Sequence, residues 1–143
     1  MFRTVISFED FFAMKHVLWI FSALLLAFVC GCSVNNNYLR PEDFAEYLRR
    51  DGIEVESVRK VPVDPFRASD AAAVKVAGSE IGVYKYDATA KAQRERLAWI
   101  ANEKRLYIVG IPYPVKVYGS FVFFGLERNP AKRKILRTIE KFK

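Results

Sequence analysis

The chain predicts an α+β fold, a mostly antiparallel sheet of about five strands with two or three helices packed on it. Three observations carry this expectation. Two stretches, Val74–Ile81 and Val115–Val122, alternate around a Gly-Ser pair as β-hairpins do. Three stretches carry helix-start signals: Pro41 followed by two acids, Asp87–Thr89, and Asn129-Pro130. Helices and hairpins come in separate blocks, which argues against a parallel sheet of βαβ units.

Pro41 suits the first helical position, and Glu42 and Asp43 suit the positive end of the helix dipole. Phe44, Tyr47 and Leu48 fall on one face, and Asp51-Gly52 supplies the stop. A strand follows, with Ile53, Val55 and Ser57 or Val58 inward and Glu54 and Glu56 outward. Residues 61–71 read as a loop with Pro62, Pro65, Phe66 and Arg67. Residues 72–86 read as a hairpin turning at Gly78-Ser79, with Tyr84 and Tyr86 on the opposite face from Lys85. Asp87 or Thr89 caps the next helix. Its apolar stripe is Leu97, Ile100 and Ala101, and Lys91, Arg94, Glu95 and Glu103 face water.

Leu106–Ile111 is a strongly apolar strand, interrupted by Pro112-Tyr113-Pro114. A second hairpin spans 115–126 and turns at Gly119-Ser120. Phe121 and Phe123 point one way and Phe124 the other, so this strand needs cover on both faces, a helix lying over the second. Asn129-Pro130 then opens the final helix as cap and first residue. The echo between Val74-Lys-Val-Ala-Gly-Ser and Val115-Lys-Val-Tyr-Gly-Ser raises a duplicated helix–strand–hairpin unit with pseudo-twofold symmetry.

The N-terminus stands apart. Val17–Val29 is an uncharged apolar run of 13 residues, preceded by Met14-Lys15-His16. As a helix it would be roughly 20 Å long, short of the ~30 Å of a bilayer core and the right size for a signal-peptide core. Val29-Cys30-Gly31-Cys32 follows it directly. These residues resemble the bacterial lipobox, although Val29 and Cys30 replace the commoner Leu and Ala or Ser. The resemblance covers residues 14–32 and implies cleavage before Cys32, a diacylglyceryl group on the Cys32 sulfur and an acylated α-amino group. Ser33, in place of Asp, implies no retention at the inner membrane. The expected address is therefore the cell envelope, on the periplasmic face of the outer membrane in a Gram-negative cell. Residues 1–13 hold four Phe and the pair Glu9-Asp10, a poor basic leader, so Met14 is the expected true start. Residues 33–37 read as a polar tether, with a single small domain over 39–143.

After cleavage, the 112 residues 32–143 hold 21 Lys and Arg against 14 Asp and Glu, so the whole net charge of +7 lies there. Cys30 leaves with the leader and Cys32 carries lipid, so stability rests on packing without a disulfide. His16 is the only histidine, which argues against a His-dependent nucleophile and a His or Cys zinc site in the mature chain. There is no glycine-rich phosphate loop. No cofactor and no metal are expected. The carboxylate pairs Glu54 and Glu56, or Asp64 and Asp70, read as solvated acids rather than as a glycosidase pair.

The final helix is basic and amphipathic. Ile135, Ile139 and Phe142 line one side, and Arg133, Lys134, Arg137 and Lys141 the other. These four cations are the candidate binding site for an anionic surface, be it lipid, an envelope polymer or a protein partner. Nucleic acid would need the same charge but lies in another compartment. The 61–71 loop and Pro112-Tyr113-Pro114 are the expected places for function, since loops carry it more often. The expected function is a lipid-anchored, non-catalytic binding or structural module. The alternative is a small envelope hydrolase or transferase using carboxylates with Tyr or Lys, and a third reading is a cytoplasmic or membrane-spanning basic protein with an uncleaved N-terminus.

Overall fold

The computed structural model describes residues 33–64 and 66–143; Cys32, the apolar run and Met14 lie outside them. Val34–Lys143 forms one compact unit. Its elements are α1 (Asp43–Arg50), β1 (Ser57–Lys60), β2 (Asp70–Val76), β3 (Ser79–Lys85), α2 (Lys91–Glu103), β4 (Arg105–Ile108), β5 (Ile111–Tyr118), β6 (Phe121–Phe124) and α3 (Lys132–Ile139). The strands form one antiparallel sheet in the order β1-β2-β3-β6-β5-β4. The α+β class holds, with six strands and three helices among the described residues.

Side-chain alternation divides the core. On one face Val74, Val76, Ile81, Val83, Phe121 and Phe123 pack under α1 and α3, which supply Phe44, Leu48, Ile135 and Ile139. Phe142, just past α3, sits edge-on to Phe44 and Phe121 with ring centroids 5.3 and 4.8 Å apart. On the other face Tyr86, Val122, Leu106, Val115 and Val117 pack under Leu97 and Ile100 of α2 and under Phe66. The phenylalanine strand is thus covered on both faces, with a helix over each, as its sequence requires.

The helix ends differ in how well their chemistry can be read. Gly52 (φ 75°) closes α1: its N–H donates to the Arg49 carbonyl, and the Ile53 N–H to that of Leu48. This is a Schellman closure, and Leu48 and Ile53 share the core beneath it. α3 begins at Lys132, after Pro130. Asn129 stands two residues ahead of the N-cap, Ala131. Its Oδ1 accepts the Ala131 N–H at 2.8 Å and its Nδ2 donates to the Val76 carbonyl at 2.9 Å. At α2 no side chain caps the first turn; Asp87 instead accepts the Thr89 N–H and hydroxyl.

The expectations need correction at one strand start, two turns and one proline-bearing segment. β1 begins at Ser57, because Ile53 is spent on closing α1 and the first ladder bond is from Glu56 N–H to the Lys75 carbonyl. The β2–β3 turn is Ala77-Gly78, both at positive φ (50° and 77°), as a type I′ hairpin needs. Leu106–Ile111 is two strands, folded back at Val109-Gly110 with φ 49° and 78°. Pro112 and Pro114 lie inside β5 rather than interrupting it. The Val115 N–H donates to the Lys104 carbonyl at 3.1 Å, so every second residue of β5 aims its N–H toward β4. The two prolines fall on the alternate positions, where no bond is lost.

The strand order reads the same from both edges, but no duplicated unit is shown. A rotation that swaps antiparallel halves of a sheet keeps each residue on its own face. The echoed residues lie on opposite faces: Val74, Val76 and Ile81 belong to the α1–α3 core, and Val115, Val117 and Val122 to the α2 core. The echo therefore reflects hairpin composition.

Candidate interaction surfaces

The four candidate cations, Arg133, Lys134 and Arg137 on α3 and Lys141 just past it, are all exposed. Arg133, Lys134 and Arg137 have no carboxylate within ion-pair distance among the described residues. Lys141 is committed: its Nζ donates to Asp51 Oδ1 at 2.8 Å, while the Thr138 hydroxyl donates to Oδ2 at 2.7 Å. These two bonds, Lys141 first, hold the Asp51 carboxyl below its usual range. The basic side is thus a row of four cations, three available and the C-terminal one, Lys141, tied down.

The second surface was not visible in the sequence. β5 is paired in two steps: Ile111–Pro114 against β4, then Val115–Tyr118 against β6. Beyond the end of β6, β4 and the first half of β5 form a two-stranded arm. On the face away from α2, Arg105, Tyr107, Pro112, Pro114 and Lys116 are all exposed. Trp99 of α2 reaches the strand edge and lies 6.1 Å from the Tyr107 ring, centroid to centroid. With Val109 and Ile111 at the tip, 96% and 55% exposed, the arm together with Trp99 carries the large exposed apolar side chains of the described fold apart from Tyr38. The signal that could have revealed it was the dipeptide Val109-Gly110 between two apolar runs.

The third surface is the end of the domain where the chain enters. Asn36 is fully buried. Its Nδ2 donates to the carbonyls of Phe142 at 2.9 Å and Tyr118 at 3.3 Å, and its Oδ1 accepts the Ser120 N–H at 2.8 Å. Gly119 makes room for it, since a Cβ there would come 2.1 Å from Asn36 Oδ1. Asn37 Oδ1 accepts the Ala88 N–H at 2.9 Å. Residues 36 and 37, read as tether, are therefore part of the fold, and Tyr38 beside them is 69% exposed.

The carboxylates do not converge. A cleft of about 390 Å³ between Gly52, Glu56 and Lys134 also holds Glu54, but Glu56 accepts the Gly78 N–H at 2.7 Å and pairs with Lys75. A cleft of about 430 Å³ lies in the fork between the arm and β3, lined by Tyr113, Phe124, Glu80 and Glu127. Glu80 is held by a two-pronged Arg59 pair at 2.7 and 2.9 Å, which lowers its carboxyl pKa. Glu127 pairs with Lys132 and Asp70 with Lys60. Asp64 is exposed.

The 61–71 loop serves packing. The Phe66 carbonyl accepts from Tyr86 Oη at 2.8 Å and Arg96 Nε at 2.9 Å, and the Arg67 carbonyl from Gln93 at 2.8 Å. These bonds latch the loop to α2 as part of the second core. Among the described residues there is no cluster of metal-ligating side chains, and no helix is long and apolar enough to cross a membrane. Compared with known proteins, the chain matches no family model, no curated protein and no solved structure.

Proposed function

We propose that the chain is a lipid-anchored protein of the bacterial cell envelope, held by acyl chains on Cys32, whose folded domain is a non-catalytic binding or structural module. The observation that carries this is a spacing. The lipobox-like Cys32 stands four residues ahead of Asn36, the first buried residue of the described fold. Cleavage before Cys32 would remove no part of the compact unit that starts at Val34. Two or more acyl chains give stable attachment at ~0.8 kcal/mol per buried methylene, where one is marginal.

A binding role is favoured because three of the four acids lining the clefts, Glu80, Glu56 and Glu127, are engaged by Arg59, Lys75 and Lys132 and Glu54 has no second acid free beside it, while cations and aromatics are exposed. Arg133, Lys134 and Arg137, with Lys141 at their end, are the proposed contacts for an anionic surface. Substituting Cys32→Ala in a bacterial host tests the anchor. Palmitate labelling should disappear, and intact mass should change from an acylated chain beginning at Cys32 to an uncleaved one. Labelling that persists in the variant rejects the site.

A further inference from the structure

The short lead-in to Asn36 constrains how the domain meets a bilayer. From Cys32 to Asn36 the chain takes four residue steps, a reach of roughly 14 Å when fully extended. A domain of this size has a radius of gyration of about 13 Å. The tether is thus too short to let the domain turn its Asn36 end away from the membrane. Asn36 cannot lengthen it by pulling free cheaply, since its amide satisfies three backbone groups inside the fold.

What surrounds Asn36 suits a headgroup layer. Tyr38 projects there with most of its surface open, an apolar ring with a polar tip of the kind that settles at membrane interfaces. Arg40, Lys91 and Lys143 are exposed at the same end. Arg40 pairs with Asp43 and Lys91 with Glu95, which offsets most of that charge, so the aromatic ring and not net charge is the distinguishing contact. The apolar arm lies elsewhere. β5 runs from the arm tip at Ile111 to Tyr118, next to the Gly119-Ser120 turn that Asn36 grips. Its eight residues, seven steps, separate the two ends by roughly 24 Å at ~3.4 Å per residue.

We infer that the Asn36 end of the domain rests on the bilayer with Tyr38 in the headgroup layer and the β4–β5 arm held away from it. This rests on the Cys32 anchor proposed above. The test uses full-length chain matured in a bacterial host and reconstituted in vesicles of phosphatidylethanolamine and phosphatidylglycerol. Because Cys32 is acylated, a single added cysteine takes an environment-sensitive fluorophore. Tyr38→Cys and Arg40→Cys probe the lower end, the second with Tyr38 intact, and Val109→Cys probes the arm tip. Lipid carrying a headgroup nitroxide should quench both lower-end labels at least threefold more than the arm label. Equal quenching at 38, 40 and 109, or stronger quenching at 109, overturns the orientation. Intact mass of the same samples separates the two claims. An acylated chain with an unquenched lower end rejects the orientation alone, and an unacylated chain rejects the anchor and the orientation with it.

Discussion

The middle of the sheet and its β4–β5 arm are built from the same kind of strand but obey different rules. Ala71–Val74 of β2 and Phe121–Val122–Phe123 of β6 are buried on both faces, one under α1 and α3, the other under α2 and the 61–71 loop. Every position there is apolar, and small where loop or side chain passes over it. Ala73 lies beneath the Arg59–Glu80 pair that bridges from β1 to β3. The arm keeps one buried row, through Leu106, and leaves its other face in water. Residues in the middle are therefore set by packing. Those in the arm are free to serve something else, which is why it is the better place to seek a partner.

The contrast is broken most directly by truncating one large side chain in each region. Phe123→Ala should cost about 3–5 kcal/mol in urea unfolding, the usual loss for a buried aromatic, and Tyr107→Ala under ~1 kcal/mol, as for an exposed site. Equal losses would mean that the arm is covered in a way this fold does not account for. Asn36→Ala leaves the Ser120 N–H and Phe142 carbonyl buried without partners. It should cost about 2–3 kcal/mol and loosen the β5–β6 turn, seen as faster amide exchange at Ser120.

Tyr86 sharpens the comparison through pH. Burial pushes its hydroxyl pKa up to about 12. A raised folded value means stability is fully present below the unfolded value near 10 and is lost as pH rises from there through 12. Tyr86→Phe should flatten that alkaline decline in thermal melts while costing ~1 kcal/mol at neutral pH for the lost bond to Phe66. At the arm tip, Val109 holds a left-handed conformation that a β-branched residue resists. Val109→Asn should raise stability by ~1 kcal/mol, since Asn-Gly suits this turn and a fully exposed side chain gives up no packing. The smallest effect is at Asp51. Its carboxyl is lowered, so its contribution is present above the ordinary Asp value and fades as pH falls through the depressed one. Asp51→Asn should shallow the acid limb of the melting curve slightly.

The same division explains what was legible. Phe121, Phe123 and Phe124 announced cover on both faces, and Pro41 with Asp51-Gly52 located α1, because burial and capping leave strong local marks. The arm left weak ones. Val109 is an unlikely turn residue by propensity, so Leu106–Ile111 read as one strand. Pro112 and Pro114 read as a break, because the direction of each N–H depends on which neighbour is paired. Asn36 has the local look of tether, since nothing near it in sequence reveals that three backbone groups from the Gly119 turn and the C-terminal segment converge on it. The basic side of α3 was visible from its spacing; that Asp51 would claim Lys141 was not, as they are 90 residues apart.

Pro112 and Pro114 have a consequence beyond tolerance. Along the stretch of β5 that β6 does not reach, they take away the donors an incoming chain would need to extend the ladder. Copies crowded together could not polymerise through that open flank, even with an apolar tip alongside. The outer edge of β4 has only the charge of Arg105 as its guard, so self-association, if it is provoked at high density, should begin there.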